Sequence, residues 1–269
     1  MTLSAPTLAL ARVDPEAFAA AEPYPHVVID GFLDPSLADR VAEEFVRPGV
    51  AWKALHHVNE RKAVASVLES FGPATRDVVR TLQGPEFRAA LGALTRIADL
   101  VADPALDGSG LHVTEDGGFL NVHADHLAHT THRTWSRRVN LLLFLNRGWQ
   151  PSWGGQLELW SPDVRRCVQS IEPGFNRCVI FPVSHTTYHG VVPVRCPSGR
   201  ARRSIAVYYF HDEGRTCALR PTRYVARPGD GPLRRVAIRL DRWAVGVYSV
   251  LKRYTPLDDA MVARLLRRF

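Results

Sequence analysis

Lysine is nearly missing from this chain of 269 residues: only Lys53, Lys62 and Lys252 occur, and arginine supplies the rest of the 34 basic side chains. Against 27 acidic residues this leaves a formal charge of +7 at pH 7. There is no lysine-rich run and no RNA-binding aromatic motif, so the excess reads as a basic solvated face and no nucleic-acid partner is expected. Cysteine is sparse too. Cys167, Cys178, Cys196 and Cys217 form no C-x-x-C pair. A chain of this size does not depend on a disulfide framework, and the thiols read as reduced in a cytoplasmic protein. Long hydrophobic runs are also lacking. The longest apolar-rich stretch, 243–251, is too short to cross a bilayer, so no stable membrane insertion is expected. The N-terminus has no basic region followed by an apolar stretch, which argues against a signal peptide. Internal repeats are absent.

What is present suits one large domain with appendages: 46% apolar and 23% charged residues are ordinary for a globular chain long enough to bury a sizeable core. Residues 1–22 read as a loose leader, 23–212 as the main domain, and 213–269 as a Pro-, Gly- and Arg-rich connector with a helical tail packing on the core. Within the domain, 26–30 reads as a strand. Asp34 and Pro35 then open a helix as N-cap and first residue, with Leu37, Val41, Ala42 and Phe45 as its apolar stripe. A second helix is predicted over 85–100, with Phe87, Leu91, Leu94 and Ile97 on one side.

From about residue 110 the pattern changes to short β-like runs: 119–123, 138–146, 156–160, 177–182 and 204–210. Many short strands separated by Gly and Pro turns predict a sandwich or barrel. In the tail, Thr255 and Pro256 open a last helix, with Asp258 and Asp259 in its first turn and Arg267 and Arg268 in its last, as the helix dipole favours. Such a basic amphipathic tail offers a surface for its own domain, for a homodimer partner or, less often, for an anionic membrane.

The chemistry is carried by His123-Ala-Asp125 and the distant His189. On a strand, His123 and Asp125 sit at i and i+2 and share a face. Two imidazoles and a carboxylate are the ligand set of the facial triad, which holds a non-haem Fe(II) with open coordination positions. The neighbouring His126, His129 and His132 read as surface or structural residues, and His185 competes with His189. Arg202 and Ser204, again i and i+2, offer a guanidinium and a hydroxyl to a carboxylate, with Arg203 as a competitor. Trp149, Trp153 and Trp160 flank the Gly154-Gly155 turn and are candidates to line a substrate pocket. Arg138 and Asn121 are further pocket candidates, and Asn140 is placed to reach a cosubstrate. Tyr208 and Tyr209 read as core.

Several segments together resemble the Fe(II)- and 2-oxoglutarate-dependent dioxygenase superfamily, and most its prolyl-4-hydroxylase-like branch. They are His123-Ala-Asp125, the run from Arg138 to Asn146, Gly154-Gly155 with the apolar alternation after it, His189-Gly190, and the strand opened by Arg202. The resemblance implies a double-stranded β-helix (jelly roll, cupin-like) core with flanking helices, mainly β. It implies His123, Asp125 and His189 as metal ligands. It also implies Arg202 with Ser204 as the 2-oxoglutarate anchor, although Arg202 lies farther from His189 than is usual in the family. The implied cofactors are Fe(II), 2-oxoglutarate and O₂, with ascorbate as a candidate reductant. The implied activity is hydroxylation of an unactivated C–H bond of a small molecule, as in natural-product or saccharide tailoring, with succinate and CO₂ as coproducts. The alternatives are a prolyl hydroxylase acting on a peptide or free amino acid, and a non-catalytic cupin-like metal- or ligand-binding protein. The anion clamp of Arg202 and Ser204 argues against the last, because a pure binder needs none beside its metal.

Overall fold

The structure is a computed structural model and describes residues 4–218, 221–241 and 243. Five helices precede or flank the first strands: α1 (Ala5–Ala11), α2 (Pro15–Ala20), α3 (Pro35–Glu44), α4 (Pro73–Gln83) and α5 (Pro85–Thr95). The strands are β1 (Val27–Asp30), β2 (Lys53–His57), β3 (Glu60–Ala65), β4 (Val101–Ala102), β5 (Gly110–Thr114), β6 (Phe119–Ala124) and β7 (Trp135–Phe144). They continue as β8 (Leu157–Trp160), β9 (Cys167–Ile171), β10 (Arg177–Pro182), β11 (Tyr188–Val191), β12 (Arg202–Asp212) and β13 (Arg223–Tyr224).

All pairings named are antiparallel and run in the order β1-β10-β7-β12-β5-β3-β6-β11-β8-β9. The curl comes from β3, which pairs β5 through Ala63–Ala65 and β6 through Glu60 and Arg61. It thereby joins a five-stranded face (β1, β10, β7, β12, β5) to a four-stranded one (β6, β11, β8, β9). This is the expected jelly roll.

Alternation on the central strands explains the layers. Leu141 and Leu143 of β7 and Ile205, Val207 and Tyr209 of β12 point outward into a core shared with the helices, joined by Phe87, Leu91 and Leu82. Their even-numbered neighbours Leu142, Ser204 and Tyr208 face the interior cavity. Both faces are therefore covered, which is why the middle of β7 is apolar without a break. The helical layer is tightly made: Phe32 meets Phe87 edge-on with centroids 6.2 Å apart, and the Tyr209 hydroxyl donates to the Leu82 carbonyl over 2.9 Å. Truncating Phe87 to Ala would cost about 3–5 kcal/mol at such a site.

The helix after Asp34 forms as read, its carboxylate accepting from the Ser36 and Leu37 amides. The leader does not remain loose. Leu10 and Phe18 are buried in the shared core, so α1 and α2 dock on α5 for their apolar area. The helix predicted over 85–100 ends at Thr95, where Arg96 takes a left-handed cap (φ 57°). The connector is also more than a linker, because β13 pairs with β6. Beyond it, 232–241 is helical, with Ile238 buried and Arg234 donating to Asn121 Oδ1 over 2.9 Å. The helix predicted from Thr255 lies outside the described residues.

Candidate active site

The register of two strands assembles the cluster. His189 on β11 stands directly opposite His123 on β6, and their ring centroids are 4.3 Å apart. Asp125, just past the end of β6, brings Oδ1 to 3.2 Å from His123 Nε2 and Oδ2 to 3.8 Å from His189 Nε2. One ligand atom from each of the three lies within 4.8 Å of the others, and no other such group of three occurs among the described residues.

The imidazole orientations are set from behind. His123 Nδ1 donates to the Asn121 carbonyl at 2.9 Å and His189 Nδ1 to that of Thr187 at 3.4 Å. Occupying Nδ1 in this way directs the Nε2 lone pairs at a common point, the geometry metal-bound histidines need. Burial and the adjacent His123 push His189 down to about 4, so both electrostatics and tautomer present it neutral. Burial pushes the Asp125 carboxyl up, but the fields of His189 and His123 and the nearby Arg137 overcome this and hold it well below the usual carboxylate range. Asn140 Nδ2 donates to its Oδ2 over 2.6 Å, and Arg137 stands 3.6 Å away.

These residues line a cavity of about 270 Å³ that also contains Arg202, Ser204 and Asn140. Arg202 is only 4% exposed. Its Nε donates to the Gly155 carbonyl at 2.6 Å, and its guanidinium lies 4.8 Å from the Phe144 centroid. Among the described residues no carboxylate pairs with it, and burial drops its pKa to about 10. A buried cation facing a cavity without a counter-ion is costly until an anion arrives. The donor set and this orphaned charge together fit a divalent metal beside a carboxylate ligand. Arg203, the competitor, faces away toward a surface hollow with Arg147 and Arg200, and His185 lies exposed in the turn before β11.

Several pocket candidates belong elsewhere. Trp149 and Trp153 pack edge-on against each other at 5.3 Å, outside the cavity, because the turn through Gly154 carries them around the rim. Trp160 is buried in a separate cluster with Val122, Val164 and Tyr188. Arg138 pairs with Glu213 on the far side of the strand. A register shift in the pairing of β12 with β7 skips it and turns Arg137 inward instead. Asn121 points outward to Asn59 at 2.9 Å, while its main chain, not its side chain, serves His123. Asn140 does line the cavity, but its amide is committed to Asp125.

In their place stand Lys62 and Glu60 of β3, His112 of β5, and Thr222 and Tyr224 of the connector, none of them marked by the sequence, and Tyr208 of β12, which was read as core and instead lines the cavity. Burial pushes Glu60 up, but His57 and Lys62 hold it down at about 2. Burial and Lys62 push His112 down to about 3. Alternation placed Tyr208 on the Ser204 face, and that signal was available. Nothing local could reveal the others, because hairpin and connector reach the cavity only through long-range pairing.

A jelly roll with a His-Asp-His cluster and a buried arginine in one cavity is the arrangement that the resemblance to Fe(II)- and 2-oxoglutarate-dependent dioxygenases implies. Residues 109–211 match the family model of the 2OG-Fe(II) oxygenase superfamily, whose cofactors are Fe(II), 2-oxoglutarate and O₂. A prolyl 3-hydroxylase of Mus musculus is 27% identical over 136 residues, covering 49% of this chain. The match spans only 23% of that relative's own length. The fold is similar to a Pseudomonas putida prolyl-4-hydroxylase (TM-score 0.54, 21% identity, 77% of this chain and 98% of that one). It is also similar to a prolyl 4-hydroxylase of Phytophthora capsici (TM-score 0.55, 21% identity, 94% and 77%).

Proposed function

We propose that the protein is a 2-oxoglutarate-dependent hydroxylase acting on an unactivated C–H bond of a small molecule. The observation that carries this reading is the buried Arg202, with no carboxylate partner among the described residues, sharing a cavity with His123, Asp125 and His189. A protein that merely held a metal would have no use for an uncompensated guanidinium there. In this reading the two Nε2 atoms and the Asp125 carboxylate hold Fe(II). Arg202 receives the distal carboxylate of 2-oxoglutarate, with Ser204 on the same face as a hydroxyl partner. Bound there, iron with 2-oxoglutarate and O₂ supplies the oxidising power for hydroxylation, with succinate and CO₂ as coproducts.

The chain's own task is placement. Asn140 and Arg137 restrain the Asp125 carboxylate. Leu142, Leu157 and Val191 close the cavity with apolar walls and keep water from the cosubstrate. Substrate orientation falls to the remaining polar lining, because rate depends on presenting one C–H bond at reacting distance. The cavity volume lies just below the usual range for ligand sites, which suits a small molecule or a single side chain.

A prolyl group on a peptide or free amino acid is the second reading. It is supported by relatives named as prolyl hydroxylases and by a cavity that would also accept one ring.

The test is succinate release from Fe(II)-loaded protein and 2-oxoglutarate across a metabolite panel that includes proline and prolyl peptides, with His123→Ala as control. Stimulated release that disappears in the variant supports a hydroxylase, and the stimulating compound separates the two substrate readings. No binding of 2-oxoglutarate by correctly folded, metal-loaded protein would refute it.

A further inference from the structure

Residues 221–230 lie outside the segment matching the oxygenase family, yet they pack against the metal-ligand cluster. Tyr224 of β13 stands in register opposite His123. Its ring centroid is 5.4 Å from that of His123, with 36° between the planes. The His123 imidazole is therefore held between two rings, with His189 at 4.3 Å. The next residue continues the pairing, as the Val225 amide donates to the Val122 carbonyl at 2.9 Å.

Three residues on, Arg227 fastens the segment. Its Nε and one terminal nitrogen bond Glu158 Oε2 on β8 at 3.1 and 2.7 Å. The same nitrogen reaches the Val191 carbonyl on β11 at 3.3 Å. The other reaches Asn121 Oδ1 on β6 at 3.4 Å. One guanidinium thus ties together the strands that carry both histidines and the strand between β11 and the sheet edge. Gly190, directly after His189, makes room for this: a Cβ there would stand 3.3 Å from the Arg227 nitrogen and 3.2 Å from the Val122 Cα.

The geometry points to residues 221–230 as a strap that retains the metal. Tyr224 is a positioning residue that fixes the His123 imidazole, and Arg227 holds β6 and β11 at the spacing the metal requires. This rests on His123, Asp125 and His189 being the metal ligands. A ligand whose ring is free to rotate must be ordered anew each time it binds, whereas a ring flanked by tilted rings on two sides is already in place. Because the strap follows the core in sequence, metal retention in this protein depends on residues beyond the oxygenase segment itself.

Ni(II), a redox-inert stand-in for Fe(II), serves as the probe. The full-length chain is loaded with Ni(II), and release to excess chelator is followed for wild type, Tyr224→Ala, Tyr224→Phe, Arg227→Gln and His123→Ala. Apo-protein melting temperature is measured alongside. The expected result is about tenfold or faster release from Tyr224→Ala and Arg227→Gln, the size found when groups supporting a metal ligand are removed. Tyr224→Phe keeps the ring and should release at the wild-type rate. Wild-type release from Arg227→Gln overturns the strap even if Tyr224→Ala fails to fold. So does release from Tyr224→Phe as fast as from Tyr224→Ala. A wild-type chain that holds Ni(II) no better than His123→Ala overturns the metal site itself, a different failure from unchanged rates in a metal-binding protein.

Discussion

Asn140 and Asp125 are joined by a 2.6 Å hydrogen bond from the amide nitrogen to Oδ2, which leaves Oδ1 turned toward His123. The amide thereby decides which carboxylate lone pairs face the proposed metal position. Asn140→Leu should keep the fold but weaken Fe(II) or Ni(II) binding by about 10–100-fold, as removing a supporting hydrogen bond does. Metal titration in competition with a chelator measures it, and unchanged affinity would show that Asp125 is oriented by Arg137 alone.

Arg202 and Arg203 should separate cleanly. A charge-assisted hydrogen bond to a ligand is worth about 1.5–3 kcal/mol, so Arg202→Gln should raise the 2-oxoglutarate concentration needed for half-maximal succinate formation by about 10–100-fold. Arg203→Gln, facing another surface, should leave it unchanged. The reverse pattern would move the anchor.

Histidines held neutral in the fold make the metal-free protein acid-sensitive. His112 is held at about 3, and His126 and His189 at about 4, against an ordinary value of 6.5. Burial leads for His112 and His189, and the Arg137 charge leads for His126. Between pH 6.5 and 4 the unfolded chain binds protons that the folded chain refuses, so stability falls as pH falls. Urea unfolding across that range should show the decline, steepest for wild type and shallower by roughly one proton for His112→Gln. A flat profile would mean that these imidazoles are not held neutral.

Gly110 is a backbone requirement. It has φ +114°, and a Cβ there would lie 2.1 Å from the Ala65 carbonyl oxygen of β3. Gly110→Ala should therefore disturb the β3–β5 junction that curls the sheet and cost more than about 2 kcal/mol, read as a lowered melting temperature. Trp153→Ala, by contrast, should leave 2-oxoglutarate binding untouched, because that ring packs outside the cavity.

Much of the site was legible locally. Period-two alternation placed Arg202 with Ser204 and His123 with Asp125, and the strands over 177–182 and 119–123 carry enough β-branched and aromatic residues to declare themselves. The Gly154-Gly155 turn was legible as a turn, but not which way it carried Trp149 and Trp153. A turn's direction depends on the strands it joins. Arg138 and Arg137 exchanged faces for a similar reason, since a register shift is a property of a pair of strands and not of either one.

The proposed ligand types, the spacing that puts two of them on one face, and the arginine proposed to receive a carboxylate follow from the order of residues, because side-chain chemistry and strand periodicity are local. The pairing of His189 with His123, the return of Tyr224 and Arg227 to the back of the cluster, and the docking of the leader helices follow only from the folded chain. Each joins residues far apart in sequence, and contacts of that kind form only when burying apolar area and satisfying backbone hydrogen bonds together outweigh the entropy of closing the intervening loops.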